Sequence, residues 1–228
     1  MRPVEKGASP EPAYARYQDA GMDLQQRLGD YCSYCERQIE TNLAVEHVNP
    51  KSRTPALVND WQNFLLACTN CNSSKGNTAV ALPDYFWPDL DNTLRAFEYV
   101  RGGLVQPHSI LPANFTAKAQ ATIRLLGLDK DPGNPGHQPT QADKRWLRRQ
   151  EVWQQAELCK QRLRRNDTAD MRELIVEIAQ ARGVFSIWWT VFAGDVDMRR
   201  RLRLAFAGTH YGSFDLNENV VVRAGGQV

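Results

Sequence analysis

The chain has no long hydrophobic run. Its longest apolar stretch, Val184 to Gly194, is broken by Ser186 and Thr190, too short and too mixed to span a bilayer. The opening residues, MRPVEKGASPEP, hold charges and prolines but no apolar core, so they do not read as a secretory signal and are expected to be loosely attached. Excess charge of one sign is missing as well: 28 Lys and Arg against 26 Asp and Glu leave +2, so the totals alone point to no class of partner. No internal repeat is visible. Histidines number four and cysteines five, which makes the placement of each informative. Together these absences predict a cytoplasmic protein without membrane contact. A length of 228 residues leaves room for one substantial domain or two small ones.

Four of the five cysteines form two pairs, Cys32-x-x-Cys35 and Cys68-x-x-Cys71; Cys159 stands apart in a polar helical stretch. In a reducing compartment this spacing reads as metal ligation. Two such knuckles can bring four thiolates to one tetrahedral zinc, which would close the intervening loop and supply folding energy. A redox dithiol and four unrelated buried cysteines are the plainer alternatives. A four-thiolate zinc has no open coordination position, so it explains architecture and leaves any chemistry to other residues.

Between the pairs lies EHVNP, residues 46–50. Leu43-Ala44-Val45 has strand character, which puts His47 at or just past a strand end. A helix beginning near Cys71 would turn Asn72 toward that end, so Glu46, His47 and Asn72 can share one face of a small ββα unit. Such a face suits phosphodiester hydrolysis. A neutral imidazole can deprotonate water near pH 7, and a carboxylate with an amide oxygen can hold a hard divalent cation that keeps its water positions. Asn63 reads as an orienting residue that ties the loop behind His47, although a loop asparagine often only caps or turns. Lys75, one turn beyond Asn72, can reach a phosphate or stay solvated.

This stretch resembles the HNH (ββα-metal) endonucleases that are stapled by two Cys-x-x-Cys knuckles. The matching elements are Glu46-His47-Val48-Asn49-Pro50, then Asn63, then Cys68-Thr69-Asn70-Cys71-Asn72-Ser73-Ser74-Lys75. The resemblance implies that His47 is the general base, that Glu46 and Asn72 bind catalytic Mg²⁺ or Mn²⁺, and that Asn63 supports the loop. Two positions depart from the commonest pattern: glutamate replaces the more usual aspartate at 46, and Asn72 stands where many members carry histidine. More loosely, the whole layout is similar to Septu-type (PtuB-like) anti-phage nuclease subunits, also found with some retrons. That likeness implies a companion ATPase that restrains the nuclease.

The remaining sequence predicts a mainly helical α+β protein built around the small ββα unit. It divides into a tail and helix (1–29), the zinc-stapled core (30–82), a hairpin, short helix and linker (83–139), and a basic helical region (140–228). Gly102-Gly103 marks the hairpin, and 114–126 carries one apolar helical stripe. FSIWWTVFAG reads as buried helix or strand, serving as core or as a partner interface. Between Ala142 and Arg165 eight basic residues face three acids. That is either a solvated helix packed through Trp146 and Trp153 or a phosphate-tracking surface; Arg199 to Arg203 would extend it. The candidate nucleic-acid contacts are Lys51, Arg53, Lys75, Lys144, Arg145, Arg148 and Arg149. The sequence reading is a DNA endonuclease, with RNA still open as substrate. Because one nuclease face usually cuts one strand, double-strand cleavage would favour a homo-oligomer. The alternative is a zinc-stabilised nucleic-acid-binding or structural subunit that does not cleave; such a module would have no need of a base beside a metal-ligand pair.

Overall fold

The computed structural model describes residues 1–228 as an α+β protein with two separate two-stranded sheets among helices. In chain order the elements are α1 (Gly21–Leu28), β1 (Ala44–His47), β2 (Phe64–Ala67), α2 (Thr69–Lys75), α3 (Thr93–Ala96), β3 (Phe97–Val100), β4 (Leu104–Pro107), α4 (Ala113–Leu126), α5 (Arg145–Arg165), α6 (Ala169–Arg182), α7 (Phe185–Val191) and α8 (Val196–Ala205). No helix is long and apolar enough to cross a membrane.

Strands β1 and β2 pair antiparallel, with Glu46 opposite Leu65 and His47 opposite Phe64. All four residues of β2 are buried, so this strand is the floor on which β1 lies. Cys68 caps α2, its sulfur accepting from the Cys71 amide. The second cysteine knuckle is therefore also the start of the helix that carries Asn72 and Lys75. The hairpin β3–β4 turns through Gly102 and Gly103, both at positive φ. A side chain on Gly103 would meet the backbone of α5 at 2.6 Å, so this turn needs glycine for close approach as well as for φ. Helix α4 ends in a Schellman closure: the Gly127 amide donates to Arg124 and the Leu128 amide to Ile123, with Gly127 left-handed.

The FSIWWTV segment is helical and forms the centre of the core. Six of its seven residues are buried in α7. Its first turn is held by Glu36, whose carboxylate accepts from the Ser186 amide at 2.7 Å and the Ser186 hydroxyl at 2.8 Å. The residue after the first knuckle thus caps the central helix, joining the metal-binding segment to the C-terminal half.

Two expectations need correction here. The first residues are not loosely attached: Met1, Arg2, Val4 and Lys6 are buried. Arg2 donates to the Leu28 carbonyl at 2.8 Å and Lys6 to the Phe64 carbonyl at 2.7 Å; backbone acceptors, joined for Lys6 by the Asp89 carboxylate at 3.1 Å, permit their burial. Nor is the arginine cluster of α8 a free basic surface. Arg203 pairs with Glu218 at 2.8 Å, Arg201 with Asp197 at 2.7 Å, and Arg199 lies over the Trp189 ring at 4.7 Å.

Candidate active site

The four paired cysteines converge. All are buried, and their sulfurs lie within 4.8 Å of one another. Cys35 and Cys68 sulfurs are 3.7 Å apart; a tetrahedron with zinc–sulfur bonds of 2.3 Å has edges of about 3.8 Å, so the cluster fits zinc. Hydrogen bonds from Cys32, Cys35 and Cys71 hold the Cys68 thiol strongly toward thiolate, while burial pushes the Cys71 thiol up. Four thiolates around Zn²⁺ would leave a net charge of about −2, and two cations stand ready for it. Arg145 donates to the Cys71 sulfur at 3.1 Å, and Arg37 lies alongside, its charge opposed by burial but favoured on balance by Cys35 and Cys68.

On the other side of α2 is an open cavity of about 320 Å³. Its wall includes Glu46 and His47 at the end of β1, and Asn72 and Lys75 on α2. The predicted set therefore meets in one place. Asn72 is exposed, while Glu46 and His47 are largely enclosed, at 5% and 7% exposure.

The hydrogen bonding of His47 decides which nitrogen can act. Nε2 lies 2.8 Å from the Val58 carbonyl. A carbonyl only accepts, so the neutral ring must carry its proton on Nε2, which leaves the lone pair on Nδ1. Burial lowers the His47 pKa below 6.5, reinforced by Lys51 and Lys75 and opposed by the Val58 carbonyl, so the ring is neutral at pH 7. The edges of Tyr17 and Phe64 fix its plane, with ring centroids 4.7 and 5.3 Å away.

Asn63 is fully engaged behind this ring. Its amide oxygen accepts from the Asn49 amide at 2.7 Å, and its nitrogen donates to the Asn49 carbonyl at 3.0 Å and the Leu57 carbonyl at 3.2 Å. It closes residues 49–63 into a fixed loop and so sets the position of Val58, which holds His47.

Lys75 is not a phosphate contact. It is 1% exposed, and its ammonium lies 2.8 Å from Glu46 Oε1 and donates to the His47 carbonyl at 2.7 Å. It fixes Glu46 and the His47 backbone from within the core. Burial raises the Glu46 pKa and Lys75 opposes that rise.

Two arginines expected to track phosphate are likewise internal. Arg145 is 2% exposed; besides Cys71 it binds Asp143 at 2.6 Å and the Leu126 carbonyl at 2.7 Å. Arg149 is 1% exposed and donates to the carbonyls of Gly103 and Leu128. Both lie on the buried stripe of α5, packed against the hairpin and the helix that carries Cys71; Asp143 and backbone carbonyls take up the Arg145 donors, and carbonyls take two of the Arg149 donors while its Nη1 is left without a partner. Lys51, Arg53, Lys144 and Arg148 are exposed, with Arg148 paired to Glu151 at 2.7 Å.

Comparison with known proteins agrees with this geometry. Residues 32–78 match the HNH endonuclease family model. The chain carries an HNH domain. It is also 33% identical over 88 residues to the Septu protein PtuB of Bacillus thuringiensis, an alignment covering 36% of this chain and about a third (34%) of that protein. Three features of the site had no signal in the motif: the Val58 carbonyl, which any residue type could supply; Lys75 as an internal cation; and Tyr17, which lies outside the matched segment.

Proposed function

We propose that the protein is a metal-dependent endonuclease that hydrolyses DNA phosphodiester bonds, with His47 as general base. The observation that carries this reading is the enforced tautomer: an HNH-domain histidine, neutral at pH 7, with Nε2 committed to Val58 and Nδ1 free.

Glu46 and Asn72 would hold the catalytic cation. One carboxylate and one amide oxygen beside an open cavity make a donor set that fits a hard ion keeping most of its water. When bound, Mg²⁺ or Mn²⁺ would neutralise charge on the scissile phosphate and the departing oxygen. His47 Nδ1 takes a proton from water as that water's oxygen bonds to phosphorus; the phosphorus–oxygen bond opposite breaks, and the leaving oxygen gains a proton from solvent. Lys75 keeps the Glu46 carboxylate and the His47 backbone in register, and Asn63 keeps the Val58 carbonyl in place. Zinc in the cysteine cluster would be structural.

By its likeness to the Septu protein we further propose an anti-phage role in the bacterial cytoplasm with a companion ATPase subunit, and assembly into a homo-oligomer where both strands are cut. Exposed Lys51, Arg53, Lys144 and Arg148, with Arg162, Arg164 and Arg165 at the far end of α5, are the bases that remain for nucleic-acid contact. The test is plasmid cleavage in Mg²⁺ or Mn²⁺, with and without the protein encoded by the neighbouring gene. Cutting by the wild type and none by zinc-replete His47→Ala is the expected result. DNA binding with no cutting under any condition would replace this reading with that of a non-catalytic binding subunit.

A further inference from the structure

An anionic substrate entering the cavity needs cationic donors, and the cavity wall contains two lysines, Lys51 and Lys75. Lys75 is committed to Glu46 and to the His47 carbonyl. Lys51 is the remaining cation. Its ammonium donates to the Tyr17 hydroxyl oxygen at 2.9 Å and sits 4.5 Å from the centre of that ring.

This contact orients the tyrosine. Its oxygen accepts from Lys51, so its own O–H is left to donate outward. Lys51 likewise keeps two of its three donors. The two groups therefore present adjacent N–H and O–H donors at the cavity mouth, and the Tyr17 ring stands edge-on to His47 at 4.7 Å. The segment that carries Tyr17 is anchored: Tyr14 stacks on Trp61 at 6.0 Å, and Asn59 donates to the Ala15 carbonyl at 3.3 Å. Chain outside residues 32–78 thus supplies a wall of the site.

We propose that Tyr17 and Lys51 form a donor pair that binds a non-bridging oxygen of the scissile phosphodiester and takes up the negative charge that builds there as water attacks. This rests on the phosphodiesterase reading of the cavity. Donors aimed at developing charge act mainly in the transition state. Their loss should therefore appear in kcat more than in KM.

The test compares wild type, Tyr17→Phe, Lys51→Met and the double variant in metal-dependent cleavage of a short DNA duplex, with melting temperature and zinc content measured on each. Tyr17→Phe keeps the ring against His47 and under Lys51 and removes only the hydroxyl. The expected result is a fall in kcat of about 100-fold, as for loss of one charge-stabilising donor, with KM within about two-fold and melting unchanged. The double variant should be no worse than Lys51→Met alone by more than about three-fold, because the donors act as a unit. Cleavage by Tyr17→Phe at the wild-type rate would overturn the proposal. If the wild type itself cuts nothing, the nuclease reading fails separately. The pair is then judged by affinity for the same duplex without added divalent metal: weaker binding by both variants retains an anion site, and unchanged binding removes it.

Discussion

The two faces of helix α2 perform opposite tasks within two turns of chain. Cys71 points to a closed cluster in which every sulfur is buried and a second layer of cations is already in place. Asn72, the next residue, is exposed and lines an open cavity. A structural metal site is saturated by protein donors, whereas a reactive one must leave positions for water and substrate. One short helix, capped by Cys68, thus carries residues of both the cysteine cluster and the cavity wall. Lys75 links the two, since it is buried on the same helix and holds Glu46 and the His47 carbonyl.

Breaking the closed face should have the largest effect. Cys71→Ser is expected to abolish cooperative melting and lower zinc content, because a structural zinc contributes on the order of 10 kcal/mol to folding. A cooperative melt at the wild-type temperature would show the cluster to be dispensable. Breaking the link between the faces comes next. Lys75→Met leaves the buried Glu46 carboxylate without its partner and should cost about 3–5 kcal/mol in denaturant unfolding. Lys51→Met, at the exposed rim, should cost no more than about 0.5 kcal/mol. Similar costs for the two lysines would erase the distinction between internal and substrate-facing cation.

A subtler effect at the open cavity concerns pH. His47 is depressed by burial, so it stays neutral and competent as a base down to lower pH than an ordinary histidine. Cleavage should be flat around pH 7 and fall on the acid side with a midpoint below 6.5, where the ring gains its proton on Nδ1. A midpoint above 6.5 would mean that the base is another group or that His47 is not enclosed as described.

The sequence made much of this contrast readable, for reasons that differ residue by residue. Cys32, Cys35, Cys68 and Cys71 announce themselves because ligand spacing is local. Glu46 and His47 follow from a strand end beside a proline. What joins distant parts of the chain stayed hidden. Tyr17 reaches His47, Glu46 pairs with Lys75, and Arg145 reaches Cys71 across 74 residues; no local pattern records such partners. The basic helix α5 misled for a related reason. An arginine reads the same in sequence whether water or carbonyl groups satisfy it, and Arg145 and Arg149 found carbonyls at the helix termini and turns packed against them. The burial of Met1 to Val4 escaped notice likewise, because Arg2 hides its charge against the carbonyls of Leu28 in α1 and of Ala207 beyond α8.

The most direct test of the account is Asn72→Ala, with cleavage, zinc content and melting temperature measured on one preparation. Asn72 is exposed beside a fully buried zinc cysteine, so its loss should lower metal-dependent cleavage by about 100-fold or more, while stability stays within about 0.5 kcal/mol and zinc content does not change. An Asn72→Ala protein that cuts like the wild type, or one that loses zinc and unfolds, would contradict the division of α2 into a structural and a reactive face.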